Sequence, residues 1–189
     1  MKGAKTSLDK PLAIGPIEAD VDAPAALVYQ MLVAIGQGPA TDGERAEIIA
    51  SDGDRLVCEF RTLVQVPIGG PRLVRTREEV TLRPPDAIEY RHLDGPLRDL
   101  REVITAREIG PRRTRLTYSA VYRPRSALHR LGFRLGRRLI EGTIERHFAD
   151  LRHRAETRAA RSRLFPAAAD ARPEVERPSG EGDRSGRSP

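Results

Sequence analysis

The chain predicts an α+β fold in which a curved antiparallel sheet is wrapped around a long C-terminal helix. Three observations carry this expectation. Five strand-like runs with alternating apolar and polar residues succeed one another between residues 46 and 123. The linkers Asp52-Gly53-Asp54, Gly69-Gly70-Pro71, Pro84-Pro85-Asp86 and Gly110-Pro111-Arg112 are too short for helical crossovers, so neighbouring strands must run antiparallel. The only long helical segment, from about Ser126 to about Arg161, follows the last strand and is the one element able to cover the dry face of a sheet.

The first elements precede these runs. In "LAIGPIEADVDAP", Ile17, Ala19 and Val21 share one face by period two and predict an opening strand. Asp22-Ala23-Pro24 then starts a helix: Asp22 is expected to accept a hydrogen bond from the Ala25 N–H, and proline in the first turn loses no intrahelical partner. Leu27, Val28, Met31, Leu32 and Ile35 form the apolar stripe of a short, largely buried helix, ended by Gly36-Gln37-Gly38-Pro39.

The strand runs are "AEIIA", "RLVCEFRTLVQV", "PRLVRTREEVTL", "AIEYRHL" continuing into "LREVITARE", and "TRLTYSAVYR". Leu56, Cys58 and Phe60 alternate with Arg55, Glu59 and Arg61, and Leu116, Tyr118, Ala120 and Tyr122 with Arg115, Thr117, Ser119 and Arg123, which gives one dry and one wet face. Within "EYRHLDGPLRDL", Asp94-Gly95-Pro96 interrupts what reads as one strand. Proline removes a ladder donor and glycine permits positive φ, so the expectation is a bend that curves the sheet around an enclosed space.

Ser126 is the expected N-cap of the last helix, which at 1.5 Å per residue would run about 50 Å, long enough for its arginine-heavy end to overhang into solvent. Leu128, Leu131, Leu135 and Leu139 share one face, whereas Ile140, Ile144, Phe148, Leu151 and Ala155 share another. One straight helix cannot bury both against one sheet. Either the chain bends or breaks around Gly132 and Gly136, or the leucine face meets something else, a ligand included. Gly132, Gly136 and Gly142 each weaken a helix by about 1 kcal/mol relative to alanine and require a reason, such as a bend, a tight contact or a bound molecule.

The 189 residues suit one domain, placed at residues 12–161, after a flexible N-terminus at 1–11 and before a disordered Pro/Gly/Ser-rich tail at 165–189. Without a run of about 18 apolar residues or the apolar core of a signal peptide, a cytoplasmic protein is expected. Of the +6 net charge, residues 126–164 supply nearly all the excess, with 10 basic and 4 acidic side chains. That arginine cluster is expected to be a solvated helix face, with an anionic membrane surface or a phosphate-bearing partner as functional alternatives. Only Phe133 and Phe148 interleave with it, which makes nucleic acid an unlikely partner.

Chemistry is sparsely signalled. Cys58 is the single cysteine, read as a small buried hydrophobe. His129, His147 and His153 offer no i, i+4 pair and His92 stands alone on its strand, so no metal is expected. There is no Gly-x-Ser-x-Gly elbow, and "GQGPAT" at 36–41 lacks the strand-to-helix setting of a dinucleotide loop, so no cofactor is expected. Glu78-Glu79 could supply a general base, but adjacent strand residues point to opposite faces, so at most one can look inward, and a solvated pair is expected.

Three pieces carry a resemblance: "IEADVDAPAALVYQML", "EEVTLRPPDAIEYRHLDGPLRDL" and "RTRLTYSAVYRPR" before an arginine-rich helix. In this order the chain resembles the START-like or SRPBCC superfamily, the helix-grip or Bet v 1-like fold, and especially its polyketide cyclase/dehydrase and lipid-transport branch, from about Ile14 to about Ala160. It departs in having no tryptophan, only eight Phe and Tyr, and a last helix expected to be broken by glycines. The resemblance implies a cavity between sheet and helix for a small hydrophobic or amphipathic molecule such as a lipid, quinone or polyketide-like compound. Candidate lining residues are Phe60, Tyr90, Tyr118, Tyr122, Leu131, Leu135 and Leu139, with Arg77 or Arg91 as polar anchors. Arg91 resembles the position of a pocket arginine in aromatase/cyclases, although strand parity sets it opposite Ile88 and Tyr90. Two alternatives follow from the same resemblance: a cofactor-independent polyketide cyclase, aromatase or dehydratase, and a ribosome- or partner-associated protein acting through the arginine helix. The oligomeric state stays open.

Overall fold

A computed structural model describes residues 10–37, 43–66 and 70–164. The expected flexible start and disordered tail lie largely or wholly outside the described residues, as does part of the Gly69-Gly70-Pro71 turn. The order is β1 (Leu12–Val21), α1 (Ala25–Val33), β2 (Arg45–Asp52), β3 (Arg55–Val66), β4 (Gly70–Arg83), β5 (Ala87–Asp94), β6 (Arg101–Gly110), β7 (Arg113–Tyr122) and α2 (Ala127–Leu164). The strands form one sheet in the spatial order β1-β7-β6-β5-β4-β3-β2, with every pair antiparallel. The short linkers thus make a meander from β2 to β7, and β1 closes onto β7.

The Asp94-Gly95-Pro96 expectation needs correction. It does not bend one strand; it begins a reversal that separates β5 from β6, which pair with Ala87 opposite Thr105 and Arg91 opposite Arg101. The His92 N–H donates to the Leu100 carbonyl at 2.9 Å and the Asp99 N–H to the His92 carbonyl at 3.0 Å, closing the turn. Gly95 has φ +115°, and a Cβ there would lie 3.2 Å from the Arg75 carbonyl oxygen, so glycine is required by conformation as well as by space.

The start of α1 also differs from expectation. Pro24 is its N-cap and no side chain caps it; the Asp22 side chain instead lies 3.7 Å from Arg113. The Asp22 N–H donates to Glu156 Oε1 of α2 at 3.1 Å, and buried Thr114 Oγ1 donates to the Ala23 carbonyl at 2.7 Å, so this corner is held by tertiary partners. Tertiary context has overridden the local capping signal.

Ser126 does cap α2, accepting from the His129 N–H at 3.2 Å. The helix is unbroken through all three of its glycines. It buries Phe133, Phe148, Leu151, Ala155 and Ala159 against the core formed with β1, β6, β7 and α1. The arginine-rich end does not simply overhang: Ala159 is buried, and Arg112 Nη2 donates to its carbonyl at 3.2 Å. Arg130 departs from the solvated cluster too, being buried with Nη2 donating to the Lys10 carbonyl at 2.6 Å. A second, smaller core of Leu56, Cys58, Val80 and Ile88 lies toward β3 and β4. Between the two cores, sheet and helix do not meet.

Candidate functional site

That gap is a cavity of about 430 Å³, large enough for a small organic molecule. One wall is α2, which contributes Gly132, Gly136, Leu139, Ile140, Thr143 and Ile144. Added Cβ atoms at Gly132 and Gly136 would meet nothing within 4 Å. These two glycines therefore leave open space where most side chains would intrude; nothing in the structure explains Gly142. Opposite them, Phe60 and Tyr90 meet edge to face with centroids 6.2 Å apart, and Pro96 and Leu97 of the β5–β6 turn close one end.

The sheet wall is not uniformly apolar. Thr76 and Glu78 on β4, His92 on β5, Glu102 on β6 and Tyr118 on β7 form one hydrogen-bonded row across four adjacent strands. Thr76 Oγ1 donates to Glu78 Oε1 at 2.5 Å, and the same oxygen lies 3.5 Å from His92 Nε2. His92 Nε2 donates to Glu102 Oε2 at 3.0 Å, and the Tyr118 hydroxyl donates to Glu102 Oε1 at 2.6 Å. Register makes this possible: the β4–β5 pairing runs without a shift from Arg83 opposite Ala87 to Glu78 opposite His92, and the irregularity comes only beyond that pair, where Arg77 meets Asp94. Each residue occupies the inward phase of its strand, in step with Val80, Ile88, Ile104 and Leu116.

Burial governs the electrostatics. It pushes the Glu78 carboxyl above the usual carboxylate range, against the opposing pull of His92 and Thr76. Burial acts to lower His92, but its hydrogen bond to Glu102 and the charges of Glu78 and Glu102 outweigh that, and the imidazole is held above its ordinary value. Tyr118 and Tyr90 are both raised, first by burial and then by the two carboxylates, so they stay neutral donors. Cys58, beneath Glu78, is pushed up to about 11 by burial and by that carboxylate. His92 Nδ1 is buried without a hydrogen-bond partner.

His92 is therefore not alone, as its isolation in the sequence implied. Glu78, His92 and Glu102 bring three ligand-type atoms within 4.8 Å of one another, a spacing that a divalent cation could bridge. Without one, His92 Nε2 is held by its hydrogen bond to Glu102 and its 3.5 Å ion pair with Glu78, while His92 Nδ1 stays without a partner.

Of the residues expected to line the cavity, Phe60, Tyr90, Tyr118 and Leu139 do so. Tyr122 faces inward but stacks on Phe133 at 4.7 Å as part of the core beside the cavity. Leu131 and Leu135 are 54% and 74% exposed, because the helix turns the face they share with Leu128 toward solvent. The two arginines are corrected by parity. Arg77 is exposed, and Arg91 points outward 3.9 Å from Glu79, which is itself the outward member of the Glu78-Glu79 pair. No arginine or lysine lines the cavity among the described residues. Both carboxylates and His92 of the polar row were missed as a group; the available signal was a charged residue standing in the dry phase of an alternating strand.

A seven-stranded antiparallel sheet gripping one long C-terminal helix is the helix-grip fold. Among solved structures, the chain is similar to the Zhui aromatase/cyclase from Streptomyces sp. R1128, with TM-score 0.56 and 20% identity, covering 84% of this chain and 98% of that one. It is similar to a norcoclaurine synthase from Thalictrum flavum, with TM-score 0.60 and 15% identity over 79% and 96% of the two chains. A START superfamily protein from Mycobacterium smegmatis gives TM-score 0.52 and 17% identity over 80% and 97%. At these identities the likeness establishes the fold, the SRPBCC or Bet v 1-like helix grip. No family model matches the sequence, and no curated protein matches it. Among the described residues, no helix is long and apolar enough to cross a membrane.

Proposed function

We propose that this chain binds a small, largely apolar molecule carrying a polar group, seated between sheet and α2 with its polar end at the Glu78-His92-Glu102-Tyr118 row. The observation that carries the reading is the cavity itself: about 430 Å³ left open beside two glycines, with a row of hydrogen-bonding groups along its sheet wall. Apolar burial supplies affinity at roughly 25 cal/mol per Å², before the costs of ordering the guest. The polar row sets orientation. Lipids, quinones and polyketide-like compounds all have this amphipathic character.

Filling the cavity tests the proposal. Gly136→Phe places a ring in the open space and removes a helix-weakening glycine. The fold should remain cooperative while uptake of the neutral dye Nile red falls at least about tenfold. Undiminished uptake by a folded Gly136→Phe protein would sink the reading.

A second reading is cofactor-independent acid–base chemistry on the guest, as in a cyclase, aromatase or dehydratase. One arrangement favours it: His92 sits between two carboxylates, one of them bonded to Tyr118, so a proton donor and an acceptor share one chain in a dry pocket. Turnover separates the readings. A bound compound recovered unchanged, with His92→Gln altering affinity alone, would retain the carrier and discard the catalyst.

A further inference from the structure

The charge of the cavity wall narrows the guest. Glu78 and Glu102 face the cavity with side chains only 9% and 14% exposed. Although the chain carries 33 basic lysines and arginines and a net charge of +6, none of the described lysines or arginines reaches this wall. The nearest countercharge is the imidazole of His92, which the two carboxylates share. Around them the lining is mostly apolar and aromatic, with Phe60, Tyr90 and Phe133 turned to the same space, and α2 adds the hydroxyl of Thr143 and the imidazole of His147.

From this, and resting on the cavity reading above, we infer that the site selects an apolar cation, a molecule bearing a protonated amine whose nitrogen lies against Glu78. Both contacts of Glu78, from Thr76 and His92, fall on Oε1, and Oε2 is the acceptor assigned to the guest. In an apolar pocket an ammonium–carboxylate pair is far less screened than in water. A carboxylate guest meets the opposite situation: it is desolvated beside two like charges with no guanidinium to receive it. Faces of the aromatic rings add cation–π attraction for an amine and none for an acid. The overall positive charge of the protein works the other way, drawing anions toward the surface. A preference for amines would therefore report the cavity.

Competition against Nile red at pH 7.5 and moderate salt tests the inference on the intact chain, using decylamine, decanol and decanoate below their micellar concentrations. The expected order is decylamine at a concentration at least about tenfold below decanol, and decanol below decanoate, a tenfold step corresponding to about 1.4 kcal/mol. Glu78→Gln should remove the preference, bringing decylamine and decanol to the same level. If the unmodified protein binds amine and alcohol alike, or prefers the acid, the inference is overturned while the cavity reading stands on the dye and the alcohol. If Nile red itself is not taken up, the cavity reading fails first.

Discussion

Tyr118 and Glu102 reach across from adjacent strands and meet at 2.6 Å, with the tyrosine hydroxyl donating to a carboxylate that also receives the imidazole of His92. One bond thus joins the buried tyrosine to a row of titrating groups. Removing it with Tyr118→Phe keeps the ring and its packing but withdraws a donor from the carboxylate. A hydrogen bond to a charged group contributes about 1.5–3 kcal/mol, so urea unfolding should show a loss of that order. Glu102, deprived of one donor, will hold the His92 proton more tightly. His92 should therefore titrate at higher pH in the variant, measured by NMR of its ring protons. An unmoved titration would show that the bond has only a packing role.

The same row predicts how stability varies with pH. Glu78 and His92 are both raised in the folded protein, so the folded state binds their protons more tightly than the unfolded chain does. Their stabilisation is complete below the unfolded values, 4.5 and 6.5, and is lost as pH climbs through the folded ones. Asp20 and Glu59 act in the opposite sense, because hydrogen bonds from Arg115 and Arg75 lower them, and their contribution disappears only in stronger acid. Denaturation across a pH series should show stability declining from about pH 4.5 to beyond 6.5, and the slope should flatten in Glu78→Gln/His92→Gln. A steady rise over that interval would contradict the buried row.

Side chains that the structure turns outward should be silent in binding. Leu135→Ser, Arg77→Ala and Arg91→Ala alter groups that touch solvent or a surface ion pair. Each should leave Nile red uptake unchanged and shift stability by no more than about 0.5 kcal/mol. Loss of uptake on Arg91→Ala would return that guanidinium to the binding machinery.

Strand alternation and short linkers made the sheet legible in the sequence, because both are local and period two is strict. The aromatic part of the cavity followed from the same signal: Phe60, Tyr90 and Tyr118 stand in the dry phase of their strands. Arg77 and Arg91 stand out of phase with those residues, and the phase prevailed. The polar row was hidden for a different reason. Its members come from four strands, and their contact depends on the registers of three successive strand pairs, which no single segment encodes. The two-faced pattern of α2 was visible, but which face met water was not. The helix stays unbroken with Leu128, Leu131 and Leu135 outside, and Gly132 and Gly136 border the open cavity instead of a tight contact.

The pairing of β1 with β7 has a consequence for synthesis. Leu12 lies opposite Tyr122, and the helix that covers their shared dry face follows every strand in the chain. A nascent chain that has produced every strand still exposes an oily surface, and only the emergence of α2 seals it. Truncation within that helix would leave a sticky sheet with no lid.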